Sequence, residues 1–151
     1  MFFLLAAFQC SPGDEKEGTV QDYLLFGTKF GFCVSACNRL YYLDSEGLYQ
    51  YISKTRETIA AEEFKSKGVL LSKEKFTSYK HLLSSVPSEL SLIETETFGC
   101  PNCYDQGEIY IEFKNDKGLK SFRADTKIVD NPSWLQPFAA ELKKAVEDLG
   151  K

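Results

Sequence analysis

The chain has little of the chemistry that most enzyme active sites need near neutral pH. Its 151 residues include one histidine, one methionine and one tryptophan, and histidine is the side chain that most often carries acid–base or metal work. That histidine, His81, has no serine or cysteine at a recognisable nucleophile spacing. No phosphate-binding loop, dinucleotide-binding glycine pattern or metalloprotease motif occurs in the sequence. The sequence therefore predicts no catalytic residue and no cofactor, and it favours a non-enzymatic protein.

An excess of charge of one sign is also missing. The 18 Lys and Arg residues are set against 22 Asp and Glu residues, which gives a formal net charge of −4. A mildly acidic chain with mixed charges has no electrostatic footprint for polyphosphate. Nucleic acid is therefore excluded as an expected partner.

No apolar run is long enough to cross a bilayer as a helix, which takes about 20 residues. Residues 2–8 form a short charge-free apolar run, followed by Cys10 and a polar segment rich in Asp and Glu. The length of the run suits the hydrophobic region of a signal peptide. We interpret residues 1–9 as a signal-peptide remnant, 10–20 as a flexible tether and 21–151 as a single domain. The alternative is a buried first strand with Cys10 as a core thiol.

Two short segments resemble those of uncharacterised small lipoproteins of Gram-negative bacteria. They are Phe8-Gln9-Cys10 with its acidic tether, and the later run that ends in Cys100-Pro101-Asn102-Cys103. The resemblance implies that Cys10 is acylated and that the membrane is a partner through this anchor. It also implies a lipid-anchored protein of the cell envelope, at the outer membrane, on either its periplasmic or its surface side. It does not define an activity.

The pattern of apolar residues predicts an α+β fold, a two-layer sandwich of about five or six antiparallel strands with two helices on one face. Period-two alternation predicts strands at residues 22–32 and 109–113. Residues 39–43 and 48–52 are rich in Tyr, Leu and Ile and flank a turn, which predicts a hairpin, and a second turn returns the chain as a strand at residues 119–124. Helical spacing predicts helices at residues 73–86 and 134–149. The residues predicted to be buried together are Leu24, Phe26, Phe30, Ile109, Ile111, Phe113, Leu135, Phe138 and Leu142.

Four further cysteines fall into two clusters, Cys33 with Cys37 and Cys100 with Cys103. In an exported protein the first interpretation is two disulfides, with a preference for one within each cluster. A zinc site with four thiolate ligands is the second. In the third, Cys-Pro-Asn-Cys resembles the redox motif of glutaredoxin-type oxidoreductases, whose first thiolate lies at a helix N-terminus. Here, however, a predicted strand follows the motif.

The first predicted hairpin is unusually rich in tyrosine. Tyr41, Tyr42, Tyr49 and Tyr51 lie on its two strands, so alternation directs some of them away from the core. They are interpreted either as stabilising cross-strand pairs or as a candidate binding surface.

Two classes of function remain open from the sequence. The first is a non-enzymatic envelope lipoprotein with a binding or structural role, which uses the sheet surface or the cysteine-bearing loops; whether its partner is a protein or a small molecule stays open. The second is a thiol-disulfide oxidoreductase that acts through Cys100 and Cys103.

Overall fold

The computed structural model describes residues 21–31, 37–54 and 59–151. The predicted N-terminal segments, 1–9 and 10–20 with Cys10, lie outside these ranges, and so does Cys33. The described residues form one antiparallel sheet and a set of helices.

The strands are β1 Tyr23–Lys29, β2 Asn38–Asp44, β3 Leu48–Ser53, β4 Val69–Leu70, β5 Glu108–Asn115 and β6 Gly118–Asp125. Every neighbouring pair is antiparallel, and the order across the sheet is β4-β3-β2-β1-β5-β6. The helices are α1 Phe64–Lys67, α2 Lys73–Tyr79 and α3 Gln136–Leu149, with shorter 3-10 turns at Ala61–Glu63, Lys80–Leu83, Ser88–Ser91 and Ile128–Asp130. The predicted α+β class, with an antiparallel sheet of about five or six strands, is confirmed.

The main core lies between one face of the sheet, named here the helix face, and α3. Leu24 and Phe26 of the central strand are fully buried there, beside Ile111 of β5. Apolar residues of α3 at helical spacing cover this face, because a stripe at that spacing stays on one side of the helix. All residues predicted to be buried together belong to this core except Phe30, which is half-exposed just beyond the end of β1.

Both predicted helices start or end differently from the expectation. The α3 helix begins at Gln136 because residues 132–135 form a turn, in which the Leu135 N–H donates to the Pro132 carbonyl. The α2 helix ends at Tyr79 and continues only as a 3-10 turn. The hydroxyls of Ser84 and Ser85 donate to the His81 carbonyl at 2.9 and 3.0 Å, and such local bonds compete with helix propagation.

The opposite face of the sheet, named here the tyrosine face, carries Tyr23, Tyr42, Tyr49, Tyr51 and Tyr110. A short helical segment, Ala61–Lys67, covers part of it, and its Phe64 side chain is fully buried. The Phe64 ring stacks on Tyr42 and meets Tyr51 edge-on. The sequence did not predict this cover, because two apolar residues in a polar stretch give no helical period.

The four tyrosines proposed from sequence as a candidate binding surface are divided between the two faces of the sheet. Tyr41 lies on the helix face, fully buried, and stacks on Phe26. Tyr42, Tyr49 and Tyr51 are half-buried on the tyrosine face beneath or beside Phe64. Their rings are therefore occupied by contacts within the fold, as in the structural interpretation of the hairpin.

The turn between β2 and β3 is fixed by the carboxylate of Asp44. One oxygen accepts the N–H groups of Glu46 and Gly47 at 2.8 and 2.9 Å, and the other lies 2.8 Å from the Lys65 ammonium. Burial opposes the charge of Asp44, but these bonds outweigh it and hold the pKa of the carboxyl below its ordinary value. Asp44 thus ties the hairpin to α1 on the tyrosine face.

We predict that Asp44→Ala lowers the free energy of unfolding by about 1–3 kcal/mol, because it leaves two turn N–H groups without their acceptor. Glu46→Ala is the matched control, since this exposed residue also pairs with Lys65 but caps nothing; its cost should be within about 0.5 kcal/mol. Guanidinium denaturation measures both. Equal losses in the two variants would contradict the assigned role of the turn.

Candidate functional site

Cys37 and the loop that carries Cys100 and Cys103 lie at one end of the sheet, named here the cysteine end, where β1 ends and β2 and β5 begin. A side chain at Gly31, just after β1, would contact the Asn102 side chain. A side chain at Gly107, just before β5, would overlap the Phe30 ring. The loop formed by residues 99–107 therefore packs directly against the chain leaving β1.

The predicted disulfide between Cys100 and Cys103 is confirmed, and their Cα atoms are 5.5 Å apart. Cys37 is buried and also disulfide-bonded. Because these three sulfurs are oxidised, they are not available as thiolate ligands, and the four-thiolate zinc interpretation loses three of its four donors. Within the described ranges, no group of three or more His, Cys, Asp or Glu is arranged to hold a metal ion.

The loop formed by residues 99–107, named here the cysteine loop, is anchored by a buried carboxylate that the sequence analysis did not single out. Asp125, at the end of β6, accepts the Cys100 N–H at 2.9 Å and the Lys127 N–H at 2.7 Å. Its own N–H donates to the Asn131 side chain, whose amide donates back to the Asp125 carbonyl. One residue therefore connects the disulfide loop, the end of β6 and the approach to α3.

The loop is also held from its other side by Asn102. This residue adopts a left-handed backbone, with φ of 62°, which asparagine tolerates better than most residues. Its side-chain amide donates to Glu108 at 2.8 Å, and its N–H donates to the Gly107 carbonyl at 3.3 Å. Together with Asp125, Asn102 fixes the position of a loop whose two cysteines are exposed.

This geometry differs from that of a glutaredoxin-type motif. The loop leads into β5 instead of a helix, so no helix dipole favours a thiolate at Cys100. The Cys100 N–H is already bound by the Asp125 carboxylate, and a nearby negative charge disfavours a second one. The motif is exposed, as a redox site must be, but its surroundings do not favour a reactive thiolate.

A cleft of about 480 Å³ opens between the cysteine end of the sheet and the last turns of α3. Its walls come from the ends of β1 and β2, from the chain after β6, and from α3. Phe30 and Val146 supply apolar surface. The remaining lining residues are Thr28, Arg39, Gln106, Thr126, Lys143 and Glu147.

A second depression of about 370 Å³ continues the cleft toward the cysteine loop. It shares Gln106, Thr126 and Lys143 with the cleft and ends at Tyr104, which is 87% exposed. Gln106 also donates to Asp125 at 3.3 Å. The disulfide loop therefore helps to form the wall of the cleft, although neither Cys100 nor Cys103 lines it.

The sequence did not predict the residues of this cleft. Arg39 and Lys143 lie in elements far apart in the chain, and neither belongs to a motif, so no local signal could have paired them. His81, which the sequence analysis set aside as a catalytic residue, lies elsewhere and is exposed, with its Nε2 2.6 Å from a Glu141 oxygen. Of the lining residues, only Phe30 was named by the sequence analysis, which predicted it as a core residue; it lies one position beyond the end of β1.

On the tyrosine face, one carboxylate organises a separate polar cluster. The two oxygens of Glu112 accept the hydroxyls of Tyr23 and Tyr110 at 2.9 and 2.7 Å. Burial and the neighbouring Glu112 raise the pKa of both phenols. The Lys29 ammonium lies 3.1 Å from the centre of the Tyr110 ring, in a cation–π contact.

No family model matches the chain, and no curated protein or solved structure is detectably similar to it. In the ranges that the structure describes, none of the helices has the length and apolar character needed to cross a bilayer. The candidate site is therefore defined by the geometry and chemistry of the cleft.

Lys29 should titrate well below an ordinary lysine. Burial lowers its pKa from 10.5 to about 8, although Glu108 and Glu112 act in the opposite direction. Between these two pH values the unfolded chain binds more protons than the folded chain. The contribution of Lys29 to the free energy of unfolding therefore rises with pH across this window.

We predict that the stability of the wild type relative to Lys29→Met increases by about 1–2 kcal/mol between about pH 7 and pH 10, a value reduced from the full shift to allow for solvent screening. Urea denaturation at several pH values measures it. Lys114→Met, an exposed lysine on the same face, is the control. The same pH dependence in both variants would rule out a specific role of burial at Lys29.

Proposed function

We propose that the protein is a non-enzymatic, lipid-anchored binding protein of the Gram-negative cell envelope, which holds a small ligand in the cleft at the cysteine end. The observation that carries this proposal is the cleft itself. Its volume of about 480 Å³ falls within the usual range of ligand sites, on the order of 300–1,000 Å³. Its lining combines apolar surface with polar and charged side chains, the groups that orient a ligand in such sites.

The lining residues support binding in preference to catalysis. They include two threonines, a glutamine, two cationic groups and one carboxylate, with no thiol or imidazole among the described residues of the wall. The exposed cysteines are joined to each other, and His81 is engaged by Glu141 outside the cleft. Side chains that bind and orient a ligand are therefore present without an evident nucleophile.

The walls of the cleft are held in place before any ligand arrives. β1 and β2 belong to the centre of the sheet, and Val146 belongs to the buried face of α3. The loop that contributes Gln106 is fixed by the disulfide and by Asp125. A wall that needs no ordering on binding loses less conformational entropy, which favours affinity.

The proposed lipid anchor is based on the sequence of the N-terminal segment. The apolar run at residues 2–8, the cysteine at position 10 and the polar tether to residue 20 match the order of an acylated lipoprotein terminus. An acylated Cys10 would place the folded domain at the envelope membrane without a transmembrane helix. The resemblance to Gram-negative lipoproteins favours the outer membrane.

A thiol-disulfide oxidoreductase is the second candidate function. The exposure of both Cys100 and Cys103 favours it, because a redox partner must reach the sulfurs. The Asp125 carboxylate and the strand after the motif favour a structural bond instead. A reduction potential well above about −300 mV would support the redox role, and one below it the structural role.

We predict that Cys10 is acylated when the protein is expressed in a Gram-negative host. Labelled palmitate should appear in the protein, and Cys10→Ala should abolish this label because no other cysteine lies directly after the apolar run. Cys100→Ala is the matched control and should keep the label. Equal labelling of the wild type and Cys10→Ala would remove the anchor from the proposal.

We predict that small fragments which bind the protein do so in the cleft. In a fragment screen monitored by NMR, hits should shift the amide signals of Thr28, Arg39 and Thr126. Thr28→Tyr keeps a good strand residue but fills the cleft, so it should weaken the hits at least about tenfold, or about 1.4 kcal/mol.

Ser121→Tyr, an exposed position on β6 outside the cleft, is the control and should leave the affinities unchanged. Hits that map to the tyrosine face, or that bind Thr28→Tyr as well as the wild type, would contradict a binding role for the cleft.

A further inference from the structure

Arg39 has no anionic partner among the residues that the structure describes. Arg39, at the start of β2, lines the cleft and is half-buried. No hydrogen bond or ion pair joins its guanidinium to any residue that the structure describes. One of its nitrogens instead lies beside Gly150, at the C-terminal end of α3, where the helix dipole favours a cation.

Lys143 is a second cationic residue that lines the same cleft. Lys143 donates to the Thr126 carbonyl at 3.3 Å. It forms no ion pair with Glu147, one helical turn further along α3, although this spacing permits one. By contrast, Lys144 on the exposed side of the helix does pair with Asp148, at 2.6 Å. The cleft thus contains two cationic groups that form no ion pair with a described carboxylate.

Cationic groups beside apolar surface lose part of their hydration and gain most from an anion that replaces it. Arg39, Lys143 and Glu147 together give the lining a formal charge of +1. One negative charge on a ligand balances this charge. A dianion would leave one negative charge unbalanced, and the Glu147 carboxylate would repel it. Phe30 and Val146 require the rest of such a ligand to be apolar.

We propose that the ligand is an amphipathic monoanion, a carboxylate with an aliphatic or aromatic body. Its carboxylate binds Arg39 and Lys143, and its apolar body packs against Phe30 and Val146. This inference rests on the proposed binding function and adds the chemical class of the ligand. The planar guanidinium of Arg39 suits a carboxylate in particular, because its parallel N–H groups match the two carboxylate oxygens.

Calorimetry of the wild-type protein with three matched probes tests the class. Octanoate, octanamide and octylamine share the same chain and differ in charge. Octanoate should bind at least tenfold tighter than octanamide, and its affinity should fall as the salt concentration rises. Octylamine should bind more weakly than either, because it places a cation beside Arg39 and Lys143. Octyl phosphate, with up to two negative charges, should bind no more tightly than octanoate.

Three variants then locate the charge. Arg39→Met and Lys143→Met keep an unbranched apolar side chain and should each weaken octanoate by about 10–100-fold, the loss expected for a charge-assisted hydrogen bond of about 1.5–3 kcal/mol. Lys144→Met is the matched control, one residue along the same helix but outside the cleft, and should change the affinity less than twofold. Thermal unfolding confirms that each variant is folded.

The outcomes separate this inference from the proposed function. The proposal of a monoanionic ligand is overturned if octanoate fails to bind or if octanamide binds as tightly as octanoate. It is also overturned if octylamine or octyl phosphate binds more tightly than octanoate. Fragment hits in the cleft would in each case leave the binding role standing. Octanoate binding that survives both Arg39→Met and Lys143→Met would also overturn the inference, since the anion would then lie elsewhere. Because the probe comparison uses the wild type, it decides the question even if a variant unfolds.

Discussion

The structure depends on one strand that is buried on both faces. In β1, Leu24 and Phe26 point into the main core, while Tyr23 and Leu25 point to the other side and are buried as well. A strand with apolar residues on both faces requires cover on both, which α3 provides on one side and the short segment with α1 on the other. Gly27 completes the arrangement, because any side chain there would overlap the β2 backbone.

The site follows from where this double cover stops. Phe30 lies beyond the last residue of β1, past the part of the sheet that α3 covers, so its ring forms one wall of a cleft instead of part of the core. The disulfide loop lies beside it, held by Asp125 and Asn102. A bond that the sequence indicated for its chemistry thus acts in the structure as a brace for the wall. The binding role and the structural role of the cysteines are therefore compatible.

The elements that the sequence predicted well are those with a strong local period. Strand β5 and helix α3 repeat their apolar residues at a spacing that only one secondary structure satisfies. The cover of the tyrosine face could not be predicted in this way, since it depends on Phe64 reaching tyrosines of the first hairpin. The cleft is equally non-local. Arg39 and Lys143 line one cleft only because the fold brings the start of β2 and α3 to the same end of the sheet. Asp125 gains its role from a loop that returns to the end of β6.

The edges of the sheet affect how readily the protein aggregates at high local concentration. Along β6, the Arg123 N–H donates to the Glu96 carbonyl and the Phe98 N–H to the Arg123 carbonyl, so a segment of the chain already occupies part of that edge. At the other edge, β4 is two residues long and lies between Lys67 and Lys73. Short, lysine-flanked or covered edges resist the addition of strands from other molecules. In the part of the chain that the structure describes, the sheet therefore offers little template for fibre growth, even where many copies share a small area.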